Sequence, residues 1–179
     1  KTTSQALFGI IQGSHREPLR KRSAGYIGSM AFDGFGIGGD LGHTKKDMRD
    51  ILRWTIPLLP EKKPRHLLGI GYLEDIEPII KEGIDTFDCK VPTHYARHGI
   101  AFTHKGEKLD LQKSIHLKEK RPIDPSCDCE TCTNYSRGYI AHLMRAHEIT
   151  ALRLLTFHNL KVYNDFVAKI REKIKRGLL

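Results

Sequence analysis

Apolar positions fall in short continuous runs that alternate with longer stretches of helical spacing. Residues 6–11 form one such run, closed by Gln12-Gly13-Ser14, the pattern of a buried parallel strand and its turn. Residues 16–30 then carry Leu19, Ala24, Ile27 and Met30 at helical intervals. The rhythm repeats with a strand over 35–39. A helix over 45–59 follows, with Met48, Ile51, Leu52 and Ile56 on one side and Pro57 and Pro60 closing it. A third strand over 66–71 leads into a helix over 73–82, and a fourth strand spans 84–89.

Successive strand–helix units imply a parallel α/β sheet, the unit of both doubly wound folds and (β/α)8 barrels. Each strand ends in a distinctive group: Gln12-Gly13, Gly38-Gly39, Gly69-Ile70-Gly71 and Asp88. Barrel enzymes build their active sites at such C-terminal strand ends. Four units make half a barrel, whose two open edges need a partner. Either two copies close on each other or an upstream half is absent, and the start at Lys1 favours the second. Residues 92–121 read as a polar, turn-rich loop. Two helices follow, over 139–155 and on to 176, with a break at Thr156-Phe157-His158-Asn159. The expected domains are therefore a half-barrel over 1–100 and a metal-binding helical subdomain over 101–179.

Cys127, Cys129 and Cys132 change the picture most. A Cys-x-Cys pair strains a disulfide badly and three clustered thiols leave one unpaired, whereas three thiolates and an imidazole make a tetrahedral zinc set. An iron–sulfur site, a redox role and free thiols are the competing readings. His142, His147 and His158 all follow within reach. His158, at the expected helix–helix corner, is the choice for the fourth ligand. Four protein ligands leave no open position, so the zinc is expected to be structural. Metal rather than disulfide use points to a reducing, cytoplasmic setting.

The net charge of +9 suggests a polyanionic partner, with nucleic acid the usual one, although a basic surface by itself need not be specialised. No apolar run approaches the roughly 18 residues of a membrane span. Gly34-Phe35-Gly36-Ile37-Gly38-Gly39 formally matches a dinucleotide fingerprint. Its glycines lie within the apolar run instead of after it, which argues against that use. Asp88 is the sharpest catalytic candidate, a carboxylate at a strand end that can serve as nucleophile or base. A helix cap or an ion pair with Lys90 is the structural alternative, and Asp85 is a weaker candidate at the strand entrance. Gln12 offers an amide that donates and accepts in one plane, as recognition of a base edge requires.

These blocks occur in one order: Phe8 to Ser14, Gly38-Gly39, His66 to Gly71, Gly83 to Thr93, then Cys127, Cys129, Cys132 and His158. In that order the chain closely resembles the C-terminal half of bacterial-type tRNA-guanine transglycosylases, over essentially its whole length. The resemblance implies a zinc-containing (β/α)8 barrel that exchanges guanine at the tRNA wobble position for a 7-deazaguanine base, on the way to queuosine. It implies Asp88 as the nucleophile on the ribose, with Gln12, Gly39, Leu68 and Gly69 at the base. RNA contacts would come from Gly69, Ile70, Gly71, Tyr72, Leu73, Glu74 and Asp75, and from Thr93, His94, Tyr95, Ala96 and Arg97. It further implies that Cys127, Cys129, Cys132 and His158 hold the zinc, that the acid/base aspartate belongs to the N-terminal half, and that two-fold dimers form. The chain departs from the pattern at Asp40-Leu41-Gly42-His43, where a longer stretch ending in glutamate is usual. It departs again at Tyr72, where lysine is common. A zinc-bearing tRNA-binding accessory subunit without catalysis, or a paralogue acting on DNA, is the alternative function.

Overall fold

A computed structural model describes residues 4–179. The chain divides into two compact units, one ending at Cys89 and one beginning at Lys90. The division lies upstream of residue 100 because the helix after Lys90 packs on the long C-terminal helix.

The first unit runs β1 (Phe8–Ile11), α1 (Glu17–Gly28), β2 (Gly34–Ile37), α2 (Lys45–Thr55), β3 (Arg65–Leu67), α3 (Leu73–Lys81) and β4 (Thr86–Phe87). Its four strands are parallel and lie in the order β1-β2-β3-β4, without reversal. Side chains alternate across a strand. Ile11, Phe35, Ile37 and Leu67 therefore pack on Ala24, Met48, Ile51, Leu52 and Ile79 of the helices. The opposite face carries Phe8, Ile10 and Leu68, all partly exposed. Gly34, Gly36 and Gly38 share that face, and a methyl group on any of them would collide with Phe8, Ile10 or Leu68. This period-two glycine stripe explains the apparent dinucleotide fingerprint. Helix α2 begins with a reciprocal capping box between Thr44 and Asp47. It gives way after Thr55 to a 3₁₀ turn over Ile56–Leu58, where Pro57 removes a donor.

The third and fourth strands are shorter than the sequence pattern suggests. Leu68 still donates its N–H to Ile37 O (3.0 Å), and residues 69–71 and 88–89 lie beyond the strands as strand-end loops. The guanidinium of Arg20 holds the corresponding loops of β1 and β2. It is fully buried, with Nε donating to Ser14 O (2.5 Å), Nη1 to Gly38 O (2.9 Å) and Ile11 O (3.3 Å), and Nη2 to Asp40 O (2.6 Å). Burial lowers its pKa, and the nearby Asp40 charge opposes that shift.

The second unit contains α4 (Val91–Arg97), β5 (Ile100–Phe102), β6 (Lys108–Asp110), α5 (Glu130–Asn134), α6 (Arg137–Arg145) and α7 (Ile149–Lys175). Two expectations are corrected here. Residues 92–121 are not a loop: they contain α4, the antiparallel β5–β6 pair and a 3₁₀ turn over Ser114–Lys118. The helical break also lies at Ala146 to Glu148, so α7 runs unbroken through residues 156–159. The N–H of His147 bonds to Met144 O and that of Glu148 to Leu143 O, with His147 at φ 56°. That is a Schellman ending with histidine in the left-handed position usually held by glycine. Glu119 is a second hub, accepting from His116 Nδ1 (2.8 Å), Arg121 Nη2 (2.7 Å) and the buried Arg137 Nη1 (2.9 Å). His116 first, and then the two guanidinium groups, bring its pKa down from 4.5 to about 2.

Arg20→Met is expected to destabilise the first unit by about 2–4 kcal/mol, because buried carbonyls lose their donors. Urea denaturation of the two proteins measures this. Glu119 has a depressed pKa, so its stabilisation is complete above its ordinary value of 4.5 and is lost as pH falls toward about 2. The gap in denaturation midpoint between the native protein and Glu119→Gln should be largest above about pH 5 and shrink toward pH 2.

Candidate functional site

In the first unit the strand-end residues gather at one end of the sheet. Ile11 and Ile37 are in register, so Gln12 and Gly38 follow side by side. Gly39 has φ +75°, and a Cβ there would run into Gln12 Oε1, so its backbone lies directly against the Gln12 amide. The Gln12 N–H is itself bonded to Ser23 Oγ (3.1 Å). Leu68 stands over Gly38 on the open face. Asp40 accepts from Ser14 Oγ (2.9 Å), His15 Nδ1 (3.1 Å) and the Gly42 N–H (2.9 Å). These bonds, that from His15 first, lower its pKa to about 2, so the altered Asp40–His43 loop presents a firmly anionic carboxylate.

Asp88 follows β4 with 62% of its side chain exposed. Its Oδ1 accepts from the N–H of Gly69 (3.1 Å) and lies 3.2 Å from His66 Nε2. Gly69 reaches this position with φ +76°. His66, which the sequence did not single out, joins Asp88 here; its partner Thr86 and then Asp88 occupy alternate positions of the neighbouring strand, a period-two signal present in the sequence. Asp85 has a structural task, accepting the Arg65 N–H at the strand entrance (2.8 Å).

The residues expected to touch RNA are unevenly available. Tyr72 and Glu74 are exposed at the start of α3, whereas Asp75 is buried and paired with Lys45 Nζ (2.7 Å). Gly71 is buried too, its carbonyl accepting from Cys89 Sγ (3.4 Å). In the second unit, Thr93 to Arg97 lie on α4, where His94 and Arg97 are exposed and Ala96 is buried. Tyr95 packs edge-on to Phe102 and lies under Lys108 Nζ, 4.9 Å from its ring centre. The His94 pKa is lowered, by desolvation first and then by His98, Lys90 and Arg97, the imprint of a positive surface.

The cysteine cluster is buried within the second unit. Asp124 folds the approach: its carboxylate accepts the His104 N–H (2.8 Å) and Ser126 Oγ (2.7 Å), and its carbonyl accepts the Cys127 N–H (3.1 Å). Cys129 caps α5, accepting the N–H of Cys132 at 3.4 Å. Thr131 ties α5 to α7 through Leu154 O (2.8 Å). The ligand atoms of Cys127, Cys129, Cys132 and His158 all lie within 4.8 Å of one another, and all four residues are buried. A single tetrahedral ion fits that spacing. His158 Nε2 donates to Phe102 O (2.7 Å), which leaves Nδ1 facing Cys132 Sγ (3.3 Å) and Cys129 Sγ (3.5 Å). The cluster therefore uses His158, whereas His142 and His147 are exposed. The bond from the Cys132 thiol, with help from His158, pulls the Cys129 thiol down to about 3 against the effect of burial. Burial and the Cys129 neighbour push Cys127 up to about 11, and Cys132 is raised as well because its proton serves Cys129. Burial works against ionising all three thiols together. A divalent cation supplies the positive charge that three thiolates need. The residues can thus hold a metal ion.

Among the described residues no helix is long and apolar enough to cross a membrane. The family model described as queuine tRNA-ribosyltransferase matches residues 1–179. The queuine tRNA-ribosyltransferase of Azoarcus sp. is 48% identical over 172 residues, covering 96% of this chain and 46% of the relative. That of Halothermothrix orenii is 44% identical over 176 residues, covering 98% of this chain and 47% of the relative. The chain thus spans about half the length of these relatives and corresponds to their C-terminal part. On this evidence the chain belongs to the queuine tRNA-ribosyltransferase family.

Proposed function

We propose that the chain supplies the nucleophile and the zinc subdomain of an enzyme that exchanges guanine at the tRNA wobble position for a 7-deazaguanine base. The observation that carries this reading is Asp88: an exposed strand-end carboxylate with one oxygen bonded to a backbone N–H, at the end of the sheet where the loops of Gln12 and Gly39 also lie. The unreversed strand order and the partly exposed apolar face support half of a (β/α)8 barrel, whose interior that face would line. The remaining half would provide the acid/base group and complete the base pocket, so this chain alone is expected not to exchange base.

The chemistry is a double displacement. An Asp88 oxygen donates an electron pair to C1′ of the ribose. The C1′–N9 bond breaks, its pair leaves on guanine, and the acid of the other half protonates that nitrogen. The incoming base then attacks C1′ with the corresponding nitrogen and gives its proton to the same group, and Asp88 departs as a carboxylate. Two inversions retain configuration. The target base must leave its stack to be reached. Lysines and arginines among the net charge of +9 would hold phosphates.

Zinc matches three buried sulfurs and one imidazole nitrogen. With four protein ligands it would be structural, holding the cysteine segment on α7. A two-fold dimer belongs to the same reading.

Two experiments test this. With the other half of the barrel added, Asp88→Asn should lose both the covalent RNA adduct and labelled-guanine incorporation into an anticodon stem-loop, by on the order of 10³-fold or more. Undiminished exchange by the variant, or preference for a DNA duplex, would overturn the assignment. Metal analysis should find one zinc per chain. Removing it with a chelator, or Cys127→Ser, should lower the calorimetric midpoint by roughly 10 °C. A chain that folds equally well without metal rules out the bracing role.

A further inference from the structure

We infer that His66 is a positioning residue that selects which oxygen of Asp88 attacks the ribose; this rests on Asp88 being the nucleophile. His66 and Thr86 are directly paired across β3 and β4, and Asp88 lies two residues beyond Thr86 on the same side of the strand. His66 Nδ1 is 2.9 Å from Thr86 Oγ1, and Nε2 is 3.2 Å from Asp88 Oδ1. A carboxylate only accepts, so the hydrogen belongs on Nε2. In an imidazole with that one hydrogen, Nδ1 is the acceptor for the Thr86 hydroxyl, which can donate. The result is a directed chain, from Thr86 O–H to His66 and from His66 N–H to Asp88.

The Gly69 N–H is the second donor, and it reaches the same oxygen, Oδ1, at 3.1 Å. Both bonds thus land on one oxygen, and Oδ2 takes neither. The His66 side chain is 26% exposed against 62% for Asp88, so the sheltered partner orients the open one. Held at Oδ1, the carboxylate loses rotational freedom before substrate arrives, which favours a near-attack geometry. Oδ2 forms the bond to C1′, and Oδ1 becomes the carbonyl oxygen of the ester. The Nε2–H bond to Oδ1 persists in the ester and meets the restored carboxylate when the second base displaces it. His66 transfers no proton in either half of the reaction, which separates this role from acid/base catalysis.

In the chain itself, ¹⁵N NMR should show His66 as the Nε2–H tautomer, and Thr86→Val should redistribute it toward Nδ1–H. With the other barrel half present, His66→Phe should slow adduct formation and kcat by on the order of 10²-fold while KM for RNA and base stays level. His66→Gln, whose amide can still donate toward Oδ1, should recover most of that loss. An Nδ1–H tautomer in the native chain, or a native adduct rate in His66→Phe, would overturn the inference. If the phenylalanine variant does not fold, the tautomer and the glutamine variant decide: glutamine slowed as much as an alanine control counts against positioning. Asp88→Asn separates the two levels. If it exchanges base normally, the nucleophile assignment fails. If it is inactive while His66→Phe is native-like, only the positioning role fails.

Discussion

Backbone groups that leave a strand or helix still require hydrogen-bond partners once buried, and both units meet that requirement with a few side chains. In the first, Arg20 donates to carbonyls of Ile11, Ser14, Gly38 and Asp40, fixing two strand-end loops that have no ladder of their own. In the second, adjacent residues of α7 serve β5. His158 accepts no part of the ladder but donates to Phe102 O, while Asn159 accepts the Phe102 N–H (3.0 Å) and donates to Ile100 O (2.9 Å) and Pro92 O (3.1 Å). The candidate site residues inherit their positions from these bonds. Gln12 and Gly39 sit on loops that Arg20 holds, and the His158 nitrogen that faces the thiols is the one its bond to Phe102 leaves free.

Charge is arranged by the same economy of partners. Asp40 and Glu119 are kept ionised by neighbouring donors, and Asp88 shares one oxygen between a backbone N–H and an imidazole. The cysteine cluster differs because burial opposes the ionisation of each of its thiols. Such a site favours a cation over protons increasingly as pH rises.

The first unit was largely legible from its pattern. Ile11, Phe35 and Ile37 fall on the core face, and α1, α2 and α3 lie within a few residues of the expected helices. The strand ends were less legible, because Gly69 turns out of the ladder to reach a carboxylate distant in sequence. The second unit hid more. A helix stop made by His147 without glycine carries no compositional signal, and Thr156 to Asn159 looks like a break only when tertiary contacts are ignored. His158 and Asn159 are poor surface helix residues, yet both are buried and bonded beyond their own turn. The three cysteines and the choice of His158 were readable from ligand chemistry, although the corner invoked for His158 does not exist. His66 was overlooked because a histidine within an apolar run resembles a packing residue until its cross-strand partner is known.

An unbroken α7 has a topological consequence. A bound ion would join the Cys127–Cys132 segment to the middle of this helix and close a loop containing α5, α6 and the Schellman corner. Such a closure acts as a reversible cross-link, removing extended conformations from the unfolded chain as a disulfide would. Unlike a disulfide, its strength would follow the free metal-ion concentration and not the redox potential.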